Sequence, residues 1–384
     1  MLKVNNILYI LLSYLILYFV FCGCTSEKTN KDSLIQINIS VSYPVKEIRL
    51  EDIADIEYLQ FELDDDFLFQ NAPHAVTSEK IITSYDGNIL IFSRDGKPFS
   101  KFNRKGNGPG EYPSINQLLY DEASDEVLIR SFFSNKIMVY TTSGEFKRLI
   151  PLNSGTNPNN EIVVYNSELL LLYDDREVAP TRFSFISTED GGVVETIDMP
   201  KDKKITVVLQ LIDEKNVIIA REPAYHIVRH NNGYLLTDFS VDTVYFLSHN
   251  KELSPILVRK PKVQSMDPVV YLNSFIEAGN YEFMNSVKVT NENFRLPKTY
   301  LMRDKTTGKV YRQVITLNDY KGKAVTLSPE TIANTQNSRL GFISLDLTEL
   351  KDANRENKLT GALKELVDNS DDIGNDIYML LHFK

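Results

Sequence analysis

Short apolar segments alternate with turn residues along the chain after residue 33. The clearest case is a set of segments at 80–83, 88–92 and 98–102, which are separated by Asp86-Gly87 and Asp95-Gly96. An Asp-Gly pair between apolar runs indicates a tight hairpin, because the turn needs positive φ angles that these residues tolerate. The stretch therefore predicts consecutive antiparallel strands.

The same pattern returns through the rest of the chain, with β-branched and aromatic residues dominating the apolar segments, as they do in strands. The further segments are 126–130, 136–140, 145–150, 161–165, 168–173, 182–186, 193–197, 216–220, 234–238, 243–247 and 310–317. Many short strands at even spacing predict a sandwich, a barrel or a propeller. Helical periodicity is confined to 268–278 and 359–367, which we expect to be insertions on a β scaffold.

The first residues follow a different pattern. An apolar run over 7–21, broken only by Ser13, is shorter than the about 20 residues that a membrane-spanning helix needs. Such a run is typical of a secretory signal. It is followed by Gly23-Cys24, and a small residue directly before a cysteine at this place resembles the bacterial lipobox. In that class of signal the cysteine is diacylated and becomes the first residue of the mature protein.

The resemblance to a lipobox selects Cys24 over Cys22, because the bulky Phe21 precedes Cys22. It implies a lipoprotein signal peptide over 1–23, a polar tether over 24–33 and a folded domain over 34–384. We therefore expect an exported protein of the cell envelope, bound to a membrane through the lipid on Cys24. The outer membrane, on its periplasmic or surface face, is the expected place.

Composition narrows the possible partners and the possible chemistry. The chain has 384 residues, a net charge of −10 and no run of basic residues, which argues against a nucleic-acid surface. Both cysteines lie in the signal region, so we expect neither an internal disulfide nor a thiolate metal site in the folded domain. Stability must then come from packing.

One stretch carries a recognisable repeat unit. A glycine-rich loop precedes the strand segments at 126–130 and 136–140, and Ser143-Gly144 follows them. The loop residues are Gly106, Gly108, Pro109, Gly110, Glu111 and Tyr112. This order resembles a blade of an NHL- or TolB-like propeller.

Over nearly the whole mature chain, the sequence is similar to six-bladed β-propeller lipoproteins of gut-dwelling Gram-negative bacteria. Besides the loop, the likeness rests on the segment 239–245 and on the apolar C-terminal segment 377–384. It implies an all-β fold of six four-stranded antiparallel blades, closed by pairing of N- and C-terminal strands. The WD40 class is disfavoured, since the chain contains no tryptophan. For closure we expect 35–41 to pair with 379–383, which would hide the sheet edges.

The glycine-rich loop has two interpretations. Its amides could form a nest for an anion, or it could be a tight crossover between blades that uses glycine flexibility and the rigidity of Pro109. We favour the crossover, in which Glu111 orders the loop and Tyr112 packs. A P-loop is excluded, because no Lys-Ser or Lys-Thr pair follows.

Metal chemistry finds little support in the sequence. His226 and His230 are four residues apart, and on a strand that is about 13 Å, too far for one ion. Two histidines from different blades could still meet in the central channel. The acidic runs lack the spacing of a calcium loop. No cofactor is predicted, and calcium or zinc would enter only with an enzymatic function.

The leading hypothesis is a non-catalytic binding module that engages a protein partner or a glycan through loops on one face. The candidate binding residues are Arg104, Arg130, Arg182, Arg221 and His226. The alternative is a hydrolase or lyase with a metal-assisted site in the central channel, as in some propeller lactonases and lyases, and a structural envelope role is a third. Three or more convergent His, Asp or Glu side chains would favour the enzyme, and a rim rich in Arg and Tyr would favour binding.

Overall fold

Successive antiparallel sheets form a six-bladed β-propeller. The computed structural model describes residues 34–384 apart from 63, 70–71, 132–133, 153–159, 180, 201, 206–208, 213–216, 221–224, 291–295, 334–338 and 371–374. Residues from Gln36 to Lys384 belong to one compact unit. The predicted lipidation site Cys24, the signal peptide and the tether lie outside the described residues.

Three strands precede the first complete blade, and two blades of four strands follow them. The early strands are β1 (Ile35–Asn38), β2 (Val45–Arg49) and β3 (Ala54–Gln60). Blade 1 comprises β4 (Ala75–Val76), β5 (Lys80–Tyr85), β6 (Asn88–Ser93) and β7 (Pro98–Asn103). Blade 2 comprises β8 (Gln117–Asp121), β9 (Glu126–Arg130), β10 (Lys136–Thr141) and β11 (Phe146–Pro151).

Along the sequence, a two-stranded hairpin lies between blades 3 and 4. Blade 3 comprises β12 (Glu161–Val164), β13 (Leu169–Tyr173), β14 (Phe183–Ser187) and β15 (Val193–Ile197). The hairpin comprises β16 (Leu209–Ile212) and β17 (Val217–Ala220). Blade 4 comprises β18 (Ile227–His230), β19 (Gly233–Leu236), β20 (Thr243–Ser248) and β21 (Leu253–Lys260), and β1 adds to it beside β21.

The last two blades depart from the four-stranded pattern. Blade 5 comprises β22 (Val270–Ala278), β23 (Tyr281–Lys288), β24 (Lys298–Asp304), β25 (Val310–Leu317) and β26 (Tyr320–Val325), and β2 joins it beside β25 in parallel. Blade 6 comprises β27 (Leu340–Leu345), β28 (Ile377–Phe383) and β3.

The described residues also contain short helices. The α-helices are α1 (Pro329–Ala333), α2 (Leu347–Arg355) and α3 (Gly361–Asp368), and the 3-10 helices are Leu50–Asp52 and Val263–Ser265. Helix α1 contacts β27 and the innermost strands β18 and β22 of two other blades. Helices α2 and α3 form an insertion between β27 and β28, and α3 agrees with the helix predicted over 359–367. None of the helices in this part of the chain is both long enough and apolar enough to span a membrane.

The hairpin predicted at Asp86-Gly87 is confirmed. These two residues connect β5 to β6 with φ angles of 46° and 78°, and Tyr85 pairs with Asn88 across the turn. Both φ angles lie in the left-handed region, which Asp and Gly adopt at low cost.

The core consists of the interfaces between blades. Strand β6 illustrates this arrangement, because its alternate side chains belong to two different clusters. Ile89 and Ile91 pack with the apolar residues of blade 2, whereas Leu90 and Phe92 pack with those of blade 6. Every one of these four side chains is at most 1% exposed. Each blade is therefore buried on both faces.

The ring closes through the C-terminal strand, although not with the early strand that we expected. Strand β28 pairs antiparallel with β3, from Ile377 opposite Gln60 to Phe383 opposite Ala54. The expected pairing of 35–41 with 379–383 is wrong, since β1 lies at the edge of blade 4, where the Ile39 amide donates to the Lys260 carbonyl. The burial pattern gives the reason. Only Ile37 is buried in β1, which suits an outer edge.

The helix expected over 268–278 is also wrong, because this segment is the innermost strand β22. Seven of its nine residues are buried, including Tyr271 and Phe275. A strand that packs on both faces lacks the two-residue period, so its sequence cannot be distinguished from a buried helix by pattern alone.

We predict that deleting residues 377–384 abolishes the folded state of the whole domain. Without β28, the faces that blade 6 buries and the pairing partner of β3 are both lost. Thermal unfolding of the truncated chain should show no cooperative transition. Leu380→Ala should cost about 2–5 kcal/mol, whereas Val194→Ala, on an exposed edge, should cost little. Unchanged melting of the truncated chain would refute the closure.

Candidate functional site

The central channel opens into a polar cavity of about 860 Å³. Most of its lining comes from connections between the first and second strands of blades and from strand ends beside them. We call this cavity the channel mouth; its residues are Glu57, Thr77, Ser78, Arg94, Glu122, Arg229, Asn231, His249, Arg339, Leu340, His382 and Phe383. Because they come from blades 1, 2, 4 and 6, only the closed ring brings them together.

Part of the charge at the channel mouth is paired internally. Arg94 Nη2 lies 3.0 Å from Glu57 Oε2, and His382 Nε2 lies 3.3 Å from the same oxygen. The Ser78 hydroxyl donates to Glu122 at 2.9 Å. These contacts hold both carboxylates of the cavity against neighbouring side chains.

Blade 4 contributes a wall of the channel mouth in which polar side chains lie beside aromatic rings. The Arg229 guanidinium lies 5.0 Å from the centroid of the Tyr234 ring and donates to the Val164 carbonyl at 3.4 Å. The His249 ring lies 6.1 Å from the ring of Tyr165, centroid to centroid. His249 and His382 line the same cavity from different blades, an arrangement that the sequence left open.

The lining contains side chains that bear on both classes of function considered above. Arginines Arg94, Arg229 and Arg339 are its cations. Within the described ranges, no group of three or more His, Cys, Asp or Glu side chains is arranged to hold a metal ion. The lining also contains Glu57, Glu122, His249 and His382, so it holds residues of both kinds that the stated criterion names.

A second polar cluster lies at the opposite edge of the ring, which we call the far edge. The strands of a blade alternate in direction, so every second connection lies at the same edge of the ring. The far edge therefore carries the connections between second and third strands and the connections between blades. Arg182 directly precedes β14, and its Nε lies 3.1 Å from Asp238 Oδ2 in the β19–β20 connection. Both side chains are at most 3% exposed. The ion pair therefore joins blade 3 to blade 4 inside the protein.

Lys204 completes this buried cluster. Its Nζ lies 2.9 Å from Asp175 Oδ1 and 4.0 Å from Asp238 Oδ2, and it donates to the Tyr173 hydroxyl. Burial alone would raise the pKa of Asp238, but Lys204 and the Ser240 amide hold that pKa below its ordinary value. The charges at this edge satisfy one another, as buried charges must.

His226 lies beside the same cluster. Its ring stacks on Tyr173 with a centroid distance of 3.7 Å, and its Nδ1 lies 2.7 Å from the Thr237 carbonyl oxygen. Burial lowers the pKa of His226 to about 4. The His226 amide donates to Glu161, and burial raises the pKa of that carboxyl to about 8. His226 is therefore neutral at physiological pH.

The other predicted binding residues are scattered. Arg130 is 3% exposed and donates to the Asn160 carbonyl at 2.8 Å, near the buried cluster. Arg104 donates to the Gly144 carbonyl at 3.0 Å, in the glycine-rich loop region. Arg221 lies outside the described residues. A binding role for these residues, Arg182 and His226 stays a prediction.

The glycine-rich loop is closed by its own hydrogen bonds. The Gly106 amide donates to the Tyr112 carbonyl at 3.0 Å, and the Gly108 amide donates to Glu111 Oε2 at 2.8 Å. Tyr112 is fully buried, and its hydroxyl donates to the Gly87 carbonyl of blade 1. Gly110 has a φ of 73°, and its carbonyl accepts from Tyr140 of blade 2. Pro109 lies between these anchored residues, so the loop links two blades.

Sequence reasoning missed the arginines of the channel mouth. Arg94, Arg229 and Arg339 stand in unrelated local contexts, a turn, a strand and a strand start, and share no motif. Their common feature is the position beside the channel. Accurate prediction of where each blade begins and ends would have identified them, because it would have placed each arginine beside the channel.

We predict that His226→Phe weakens the dependence of stability on pH. A histidine whose pKa falls from 6.5 to about 4 on folding stabilises the protein fully above pH 6.5 and loses that contribution as the pH falls toward 4. The loss is roughly 3 kcal/mol of unfolding free energy. Phenylalanine keeps the ring on Tyr173 but does not titrate.

Urea unfolding at pH 7 and pH 4 measures this effect. Burial lowers the pKa of His74 to about 4 as well, so part of the dependence should remain in the variant. An identical pH profile for His226→Phe and the parent protein would contradict the assignment.

The comparisons with known proteins support the same architecture. The chain is similar to a solved structure from Bacteroides fragilis, a protein described as exported, at 15% identity with a TM-score of 0.64, covering 91% of this chain and 99% of that one. It is also similar to a DUF4221 family member from Bacteroides vulgatus at 11% identity with a TM-score of 0.47, covering 87% and 98%. The first likeness shows the fold.

No curated protein matches the chain in sequence. One family description, "Domain of unknown function (DUF4934)", matches residues 34–382, nearly the whole of the propeller. The chain thus belongs to the DUF4934 family.

Proposed function

We propose that the protein is a non-catalytic binding module of the cell envelope that holds a glycan at the channel mouth. The observation that carries the proposal is the arginine-lined cavity of about 860 Å³ on the ring axis. Its volume lies within the about 300–1,000 Å³ that is usual for small-molecule sites. Its hydroxyl, amide, imidazole and guanidinium groups suit the hydroxyl groups of a sugar.

A glycan explains the site better than a protein partner does. The lining residues surround a concavity at the ring axis, whereas protein interfaces usually bury an extended surface of about 800 Å² on each partner. Sugars fit concave polar sites in which planar side chains and hydrogen-bonding groups alternate. A protein partner would instead need the outer loops of the ring.

Attachment to a membrane is the second part of the proposal. Residues 1–23 act as the signal peptide, Cys24 carries the lipid, and 24–33 is the tether to the propeller. The similar protein from Bacteroides fragilis is described as exported, which supports export here. A lipid anchor would keep the channel mouth close to the envelope, where glycans are abundant.

We predict that Ser78→Trp weakens glycan binding without unfolding the protein. Ser78 is exposed and lines the channel mouth, so an indole at this position would fill the cavity. Binding is measured on a glycan array and then by titration calorimetry with the saccharides that bind. We expect at least a tenfold loss of affinity, which is about 1.4 kcal/mol.

The matched control is Val194→Trp, on the exposed edge strand β15, which should bind like the parent protein. Equal binding by Ser78→Trp and the parent would contradict the assignment of the site. Turnover of a bound saccharide, or capture of a protein alone from native membranes, would contradict a non-catalytic glycan-binding function.

We predict that Cys24→Ser releases the protein from membranes. The substitution removes the thiol to which the lipid would be attached, so the chain should lose incorporated palmitate and partition into the aqueous phase of a Triton X-114 extract. Cys22→Ser is the matched control and should remain lipidated. Retention of label by Cys24→Ser would exclude Cys24 as the lipidation site.

A further inference from the structure

The blade 4 wall of the channel mouth is built around one cross-strand pair. Arg229 on β18 lies directly opposite Tyr234 on β19 in the antiparallel register. Residues opposite each other in this way have adjacent side chains, and the guanidinium accordingly lies over the Tyr234 ring at 5.0 Å. The contact holds the guanidinium beside the ring, and the N–H groups that do not donate to Val164 can hydrogen-bond to a ligand.

No carboxylate of the described residues neutralises the charge of Arg229. Among the residues that the structure describes, it contacts the Tyr234 ring and the Val164 carbonyl, and no carboxylate lies within salt-bridge distance. Arg94, in the same cavity, is paired with Glu57 at 3.0 Å. The two arginines therefore differ in what they can offer a ligand.

His249 belongs to the same wall. It follows β20 in the β20–β21 connection and is exposed, and its ring faces the rings of Tyr165 and Tyr234 at 6.1 and 6.2 Å. In the described part of the chain, the imidazole has no carboxylate partner. An imidazole and a guanidinium thus line one side of a polar cavity, and neither has a carboxylate partner among the described residues.

We infer that the blade 4 wall binds an oxyanion, a carboxylate or a sulfate, on an acidic saccharide. The inference rests on the proposed function and names the class of its ligand. Arg229 would donate two parallel hydrogen bonds to the oxyanion, the geometry for which a guanidinium is suited. His249 would donate a third, and the hydroxyl and amide groups elsewhere in the mouth would contact the sugar ring.

The distribution of charge supports an anionic ligand. The chain as a whole has a net charge of −10, which repels anions at long range. The channel mouth instead presents Arg229, which has no carboxylate partner among the described residues, while Glu57 and Glu122 are already in contact with neighbouring side chains. A local positive potential inside a concave site attracts anions even on an acidic protein.

The test is titration calorimetry on the full chain, purified from membranes in detergent. The uronate arm compares tetragalacturonate with its methyl ester, which has the same backbone but no charge. The sulfate arm compares a sulfated chondroitin tetrasaccharide with its desulfated form. We expect the charged member of at least one pair to bind at least tenfold more tightly, and the arm that shows the preference identifies the oxyanion.

Substitutions at Arg229 test whether this wall is responsible. Arg229→Gln should reduce the affinity for the charged ligand by roughly tenfold to a hundredfold, the range for one lost hydrogen-bonding charge. The loss should be larger for the charged member than for the neutral member, because only the charged member offers an oxyanion to the guanidinium. Arg229→Lys keeps the charge without the planar fork and should show an intermediate loss. The control Arg355→Gln, an exposed arginine on α2, should have no effect.

The outcomes separate this inference from the proposed function. Equal binding of charged and neutral members, with both lost in Ser78→Trp, would overturn the oxyanion site and leave the glycan site standing. A preference for the charged member that persists in both Ser78→Trp and Arg229→Gln would overturn both. If the melting curve shows that Arg229→Gln does not fold, His249→Gln is titrated with the same ligands instead. An unchanged preference of His249→Gln for the charged member would overturn the inference.

Discussion

The whole structure depends on burying two apolar faces of every blade. A single strand such as β6 supplies Ile89 and Ile91 to one interface and Leu90 and Phe92 to the other. No blade can therefore satisfy its hydrophobic surface with one neighbour, and a row of blades would leave two faces in water. A closed ring removes both ends, which is why the pairing of β28 with β3 determines whether the rest of the fold is stable. The C-terminal strand is accordingly buried at six of its seven positions.

The ring also creates two edges with different chemistry. At the far edge, Arg182 and Lys204 are enclosed between blades, where Asp238 and Asp175 neutralise them. Replacing one member would leave an unpaired charge in a site that excludes water, which is costly. At the channel mouth, the polar side chains face a cavity instead. Arginines that look alike in the sequence thus hold blades together at one edge and line an open site at the other.

The sequence predicted much of the fold because its local signals and its packing agree. Asp86-Gly87 specifies a hairpin whose strands are then buried as the apolar pattern requires. The failures have physical causes. Strand β22 is buried on both faces, so Tyr271 and Phe275 carry no strand period. An early apolar segment and a late one predict that two terminal strands close the ring. Which early strand pairs with β28, β1 or β3, depends on packing between residues far apart in the sequence.

The candidate site was harder to predict for a related reason. Arg229 and His249 are separated by a whole hairpin, and Arg94, Arg339 and His382 belong to other blades. What unites them is the closed ring, a property of the complete chain. The buried residues Arg182 and His226 could be singled out from the sequence, but their burial could not, since it depends on Asp238, Lys204 and Tyr173 from separate connections.

The position of β3 has a consequence for synthesis of the protein. Glu57 on β3 and His382 on β28 are 325 residues apart in sequence, yet they touch in the finished ring. A chain emerging from the ribosome cannot make this contact until its last residues have been added. Until then every partial ring exposes an apolar face. Contacts of such long range slow folding, and incomplete β structures with open edges are prone to aggregate. The closed ring can therefore form only after β28 has been synthesised.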